Sequence, residues 1–240
     1  MRSFEASPRS TFATWLRYAV ESGKRLRAVI CLATAEAAGA EAESALPAAA
    51  SLELVHAFSL VHDDLPALDD DSERRGRAST WARYGEAVGI LTGDALLAEA
   101  FRLALSYPSP AVARELAQAT LGMIGGQYLD ITDTAPDEVT LHRLKTGCLF
   151  AASVGLGLWV AEVPERDQAL WRAFGDELGL LFQIVDDILD GDGYVLSHGA
   201  EGARALADEA AASARERLAA IPADTSILGD IVEVLATRTA

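Results

Sequence analysis

Lysine is nearly missing from this chain: among its 20 basic residues, Lys24 and Lys145 are the only lysines. Against 36 acidic residues this leaves a formal net charge of −16. So acidic a chain excludes nucleic acid as a general partner, because a phosphate backbone is bound by a basic face. A small anionic ligand held in a local basic pocket remains compatible with it. Cysteine is scarce as well. Cys31 and Cys148 are far apart and outside any CxxC or Cys/His pattern, which reads as two free thiols in a reducing compartment. The opening residues MRSFEASPRS lack the apolar core of a signal peptide. The longest apolar run, 148–161, contains Ser153 and two glycines and falls short of the ~18–20 residues of a spanning helix. These absences predict a soluble, cytoplasmic protein that does not span a membrane.

Also lacking is any run of alternating polar and apolar residues bounded by turns, the mark of a half-buried strand. What is present instead is helical periodicity. Phe12, Trp15, Leu16 and Ala19 follow i, i+3, i+4, i+7, and helices are expected at 11–22, 24–38, 43–64, 86–105, 111–130, 137–148, 149–160, 165–190, 203–220 and 227–239. Pro66, Pro136 and Pro164 punctuate them, and 106–110 (SYPSP) is a turn. Half of the 240 residues are hydrophobic, enough for a substantial core. The expectation is an all-α bundle of long helices in one domain, 1–240.

Charge is concentrated in two places. The stretch 60–77, LVHDDLPALDDDSERRGR, holds five aspartates and two adjacent arginines at the end of an apolar helix. Carboxylates there oppose the helix dipole, which prefers cations at a C-terminus by ~0.3–1 kcal/mol; bound cations such as Mg2+ would relieve the conflict. A solvated acidic turn is the blander reading of such a run taken alone. The second cluster makes the coincidence informative: Gln183, Asp186, Asp187 and Asp190 stand at i, i+3, i+4 and i+7, along one helical face. His56, Ser59, Leu60 and Asp63 share that spacing on the earlier helix. Three basic sites complement the acids, namely GKRLR at 23–27, Arg74 with Arg75, and Lys145-Thr146-Gly147. Acid clusters with scattered cations describe metal ions bridging carboxylates to a diphosphate whose outer oxygens meet Lys and Arg.

The motifs GKRLR (23–27), LELVHAFSLVHDDLPALDDDSERRGR (52–77), YGEAVGILTGDALLAEAF (84–101), GMIGGQYLD (122–130), KTG (145–147) and FQIVDDILD (182–190) occur in an order that resembles the trans-polyprenyl diphosphate synthase family, nearest its short-chain bacterial farnesyl diphosphate synthases. The resemblance implies an isoprenoid-synthase bundle around a central cavity, usually a homodimer, with three Mg2+ ions (Mn2+ as a substitute) between the aspartate motifs. It implies Asp63, Asp69 and Asp186 as metal ligands, supported by Asp64, Asp187 and Asp190. Lys24, Arg27, His56 and Arg75 match the site for isopentenyl diphosphate, Arg74 and Lys145 contacts to the allylic diphosphate, and Thr146 and Gln183 oxygens facing an allylic cation. Phe58, with Ser59 beside it, lies five residues before Asp63, ~7.5 Å along the axis. A helical wheel alone makes it a core residue; the resemblance makes it the residue that stops the product at fifteen carbons.

Departures from the family pattern are local. Where the family carries a lysine-bearing loop after the second motif, Asp190 is followed by GDGYVLSHGAEGARALA, without lysine. Ala28 and Trp81 stand where the family usually has Pro and His. Two other readings are a catalytically weak or inactive partner subunit of a heteromeric synthase and, third, a class I terpene cyclase, whose second motif differs from DDILD.

Overall fold

A computed structural model describes residues 8–238. Eleven α-helices make up most of these described residues: α1 (Pro8–Val20), α2 (Leu26–Ala37), α3 (Leu46–Asp63), α4 (Thr80–Tyr84), α5 (Glu86–Ala104), α6 (Ala111–Ile131), α7 (Glu138–His142), α8 (Cys148–Val160), α9 (Ala169–Asp190), α10 (Tyr194–Ala219) and α11 (Ser226–Ala236). The all-α expectation holds. Thr239 and the first seven residues, on which the expected last helix and the reading of the N-terminus partly rest, lie outside the described residues.

α8 is apolar on every face, as a central helix must be. One side sends Phe150, Val154 and Leu158 into a cluster with α9, α10 and α11; the other sends Leu149, Ala152 and Leu156 into a cluster with α3, α5 and α6. Gly157 permits this, since a Cβ there would sit 2.7 Å from the Cys31 carbonyl oxygen of α2. α3 packs on α5 and α2, and α9 on α10.

Boundaries differ from the periodicity in four instructive places. α2 starts at Leu26 rather than 24, because Gly23 (φ 138) and Arg25 (φ 54) hold the chain in left-handed territory. A two-stranded antiparallel ribbon, β1 (Glu73–Arg74) with β2 (Arg77–Ala78), interrupts the all-helical pattern. Its turn residues Arg75 and Gly76 both have positive φ (55 and 74), the twist a two-residue hairpin demands; strands this short leave no alternation to read. A π-helical turn, Arg143–Gly147, lies between α7 and α8. α10 begins nine residues before the expected 203, bends at Gly199 (φ 72), and is joined to α9 by Gly191, Asp192 and Gly193 alone. Gly191 and Gly193 have positive φ (75 and 43), which lets the chain reverse in three residues.

The 22-residue segment Ala42–Asp63, which contains an 18-residue window of mean hydropathy 1.4, is long and apolar enough to cross a membrane by length and composition, contrary to the expectation that no segment is. Half of that window is buried against the neighbouring helices, and the segment ends in the first aspartate motif.

Candidate active site

α3 ends at Asp63, with Asp64 as its C-cap and Pro66 two residues on. The chain then folds back: the Asp69 amide donates to the Asp63 carbonyl at 2.9 Å, placing both aspartates on one turn. Burial raises the Asp63 carboxyl to about 6; Asp69 and Asp64 push the same way, while Lys145 and Arg74 pull against them. Asp64 is buried at 3% exposure, and Arg74 Nε donates to its Oδ1 at 2.6 Å. The ribbon explains this pair, since its tight turn aims Arg74 back at the end of α3. Asp64 therefore orders Arg74 from within the fold, whereas Asp69 is exposed and Asp63 half-buried.

A basic locus faces the other way. Arg27 is buried, its guanidinium 4.5 Å from the Phe150 ring centroid and 5.8 Å from that of Phe182, with Nε unpaired. Burial lowers it to about 10 even with Glu53 and Asp186 nearby. His56 is held neutral, well below the usual imidazole range, by burial first and then by Arg27, Arg75, Arg74 and Arg25. Arg75 Nη1 donates to the Ser22 carbonyl at 2.9 Å and crowds Gly23, where a Cβ would lie 2.9 Å from that nitrogen. Lys24 stands exposed beside it. Arg27 and Arg75 thus lie close enough to His56 to act on its charge, while Lys24 lies near Arg27 in the chain.

On α9 the stripe divides. Asp190 is exposed and Asp186 half-buried, its carboxyl raised by burial although Arg238 Nη1 stands 3.2 Å from Oδ1. Asp187 is 4% exposed; its Oδ1 accepts from Gln183 Nε2 at 2.6 Å and its Oδ2 from the Tyr194 amide at 3.0 Å. Across the cleft, Lys145 Nζ donates to Asp130 Oδ2 at 2.5 Å. Lys145 and Thr146 ride on the π turn, which approaches α6 backbone to backbone: a Cβ on Gly126 would lie 2.6 Å from the Lys145 amide nitrogen. An apolar cavity of about 500 Å³ opens beside them, lined by Leu144, Cys148, Ala151, Leu180, Gln183 and Tyr194.

Phe58 is 7% exposed and meets the His62 ring edge-on at 4.9 Å. Ser59 Oγ donates to the His56 carbonyl at 3.0 Å, within its own helix. His62 in turn bonds the Ile90 carbonyl at 3.1 Å and packs on Gly93 of α5, where a Cβ would come within 2.1 Å of its Nε2.

Several participants carry no role in the sequence reading. Asp130 lies inside a motif that marks the resemblance, so its signal was present. Arg238 and Tyr194 have no local signal: a partner 52 residues away, and a backbone amide, leave nothing in spacing or composition.

Among the described residues no three carboxylate, imidazole or thiol groups converge into a cage that could hold a metal unaided. The donor set nevertheless fits Mg2+, which takes one or two carboxylates and completes its octahedron with waters and substrate phosphates. Asp63, raised by burial and by its acidic neighbours, is such a carboxylate, with Asp69, Asp186 and Asp190 more open to solvent.

A family model described as Polyprenyl synthetase matches residues 9–202. The chain is 41% identical over 191 residues to a geranylgeranyl diphosphate synthase of Cyanophora paradoxa, covering 73% of this chain and 64% of that protein. It is 39% identical over 186 residues to the farnesyl diphosphate synthase of Bacillus subtilis, covering 71% and 63%. It thus spans less than two-thirds of the length of these curated relatives. Among solved structures, the geranyltransferase of Legionella pneumophila matches with a TM-score of 0.88 at 30% identity over 98% of this chain and 90% of that one. Matching motifs, architecture and family model place this chain in the polyprenyl synthetase family.

Proposed function

We propose that this chain is a prenyltransferase that condenses isopentenyl diphosphate head-to-tail with dimethylallyl or geranyl diphosphate, giving farnesyl diphosphate, and that it needs Mg2+. The observation that carries the reading is the opposed charge of two adjoining loci. His56 is kept neutral by burial and by the nearby charges of Arg27, Arg75, Arg74 and Arg25, a place for an anion, while Asp63 is desolvated beside Asp69 and Asp64, a place for a cation. A substrate with a metal-bridged diphosphate satisfies both.

In the reaction the allylic carbon–oxygen bond breaks and its electron pair leaves with the diphosphate. The isopentenyl double bond attacks the cation, forming the new carbon–carbon bond, and a proton is lost. When bound, Mg2+ held by Asp63, Asp69 and Asp186 supplies charge neutralisation for the departing group. Lys145 and Arg74 bind outer oxygens of the allylic diphosphate, each preset by Asp130 or Asp64. Lys24, Arg27, His56 and Arg75 bind the isopentenyl diphosphate. Thr146 and Gln183 turn oxygens toward the cation, and the apolar walls beside them exclude water.

The protein acts, in this reading, as a soluble cytoplasmic single domain and as a homodimer. Leu121, Ile124, Tyr128 and Ile131 form an exposed apolar stripe along α6 at i, i+3, i+7, i+10, with Ile90 and Leu91 exposed on α5.

One observation favours a second reading. The three-residue link after Asp190 carries no lysine to close over the allylic diphosphate, which suits a weak or inactive partner of an active synthase. Purified protein with Mg2+, isopentenyl diphosphate and each allylic primer decides. A fifteen-carbon product supports the proposal. No product alone, with turnover on adding a second synthase chain, supports the partner reading, and no product in either case overturns both.

A further inference from the structure

Asp186 and Asp187 are neighbours in one aspartate motif, yet α9 turns ~100° between them, and they meet different surroundings. Asp186 looks toward Arg238 and solvent. Asp187 looks toward the start of α10, where nearly all its surface is covered. Both of its carboxylate oxygens are in use: Oδ1 takes the Gln183 amide nitrogen, and Oδ2 takes the backbone N–H of Tyr194, the first residue of α10. A helix start leaves such N–H donors without partners inside the helix, and a negative group there also suits the helix dipole. His142 Nδ1, buried and without a hydrogen bond, stands 3.8 Å from Oδ2 on the third side.

We infer that Asp187 is not a metal ligand but a positioning residue: it locks the α9–α10 junction and fixes which end of the Gln183 amide is presented to substrate. The step from contact to function rests on donor chemistry. Both Asp187 oxygens act as acceptors in this arrangement. Gln183 must therefore spend its NH2 group on Asp187, which leaves the amide oxygen as the end available to a ligand. Under the prenyl-transfer reading, on which this part depends, an oxygen is the end that stabilises an allylic cation; an NH2 group would repel it.

Asp187→Asn leaves a single side-chain oxygen at this position. With that oxygen on the buried Tyr194 N–H, the introduced NH2 faces Gln183 and forces its amide to flip. The decisive comparison is Asp187→Asn alone and combined with Gln183→Glu, whose carboxylate accepts from the new NH2 and keeps an oxygen forward. Mn2+ binding, followed by the loss of its free-ion paramagnetic signal, should match wild type in the single variant. Its kcat should fall about tenfold or more with both KM values nearly unchanged, the mark of an interaction made in the transition state. The double variant should recover most of that loss. Loosening of Mn2+ binding by about tenfold, the scale expected for a lost ligand or its direct support, overturns the inference. So does a kcat loss that the double variant does not recover. If Asp187→Asn does not fold, the Gln183 side-chain NH2 resonances of the wild type carry the test: slow exchange and no shift with Mg2+ support it, rapid exchange or a shift overturns it. If the wild type forms no product, the prenyl-transfer reading fails by itself, while the Mn2+ titration and the Gln183 resonances still decide what Asp187 does.

Discussion

Arg238 Nη1 lies 3.2 Å from Asp186 Oδ1, so the last arginine of the chain supplies a counter-charge to the second aspartate motif. A metal ion taking that oxygen has to displace the guanidinium. Arg238→Gln should therefore bind Mn2+ more tightly, by up to about fivefold, since a half-exposed ion pair contributes at most ~1 kcal/mol. Titration of the two proteins with Mn2+ measures this, and equal or weaker binding by the variant would show that Arg238 does not compete.

Asp63 titrates at about 6, above the ordinary aspartate range, mainly because it is buried. Its folded state holds the proton more tightly than its unfolded state. The stability this confers is fully present below pH ~4 and is lost as pH rises through about 6. In chelator at pH 7, Asp63→Asn should be more stable than wild type by on the order of 1 kcal/mol, and the difference should vanish near pH 4. Mg2+ should stabilise the wild type at pH 7 and the variant much less. Thermal unfolding across pH 4–7.5 reads both effects; a variant equally or less stable at pH 7 rules out the burial argument.

Phe58 is buried under the first motif. Phe58→Ala removes about 3 kcal/mol of packing or more and, under the prenyl-transfer reading, should lengthen the product beyond fifteen carbons. Chromatography of the dephosphorylated products is the measurement. An unchanged product length from a folded variant would leave Phe58 as core and nothing else.

Gly93 is where α5 touches His62, and a Cβ there would overlap the imidazole at 2.1 Å. His62 cannot simply swing aside without giving up its bond to the Ile90 carbonyl. Gly93→Ala should cost about 1–3 kcal/mol, the range for overpacking, and should weaken Mn2+ binding because His62 adjoins Asp63. Urea unfolding with a parallel Mn2+ titration checks it; full stability would mean the ring relocates freely.

Helix identity was legible from the i, i+3, i+4, i+7 pattern in α1 and elsewhere from long apolar or alanine-rich stretches punctuated by proline and glycine. The aspartate pairs were legible as stripes. A stripe of i, i+3, i+4, i+7 is broad, however, and spacing alone cannot tell which member faces the cleft and which faces a neighbouring helix. Asp187 and Asp64 are the two that turned inward, and in each case the cause is a group outside their own helix, the start of α10 or the ribbon arginine. The π turn at 143–147 has the composition of an ordinary helix; it is imposed by the close approach of Gly126. Charge placement was therefore readable in sequence, while the pairing of charges had to await the fold.

The three residues between α9 and α10 also keep the entropic cost of joining those two helices small. Closing a short loop sacrifices little chain entropy, and that sacrifice grows with the logarithm of loop length. Leu178, Leu181 and Val185 can thus meet Ala203, Ala207 and Ala210 across a turn of three residues. The pair that Asp186 makes with Arg238 spans 52 residues of sequence instead. Contacts as local as those between α9 and α10 therefore close at less entropic cost than the Asp186–Arg238 pair.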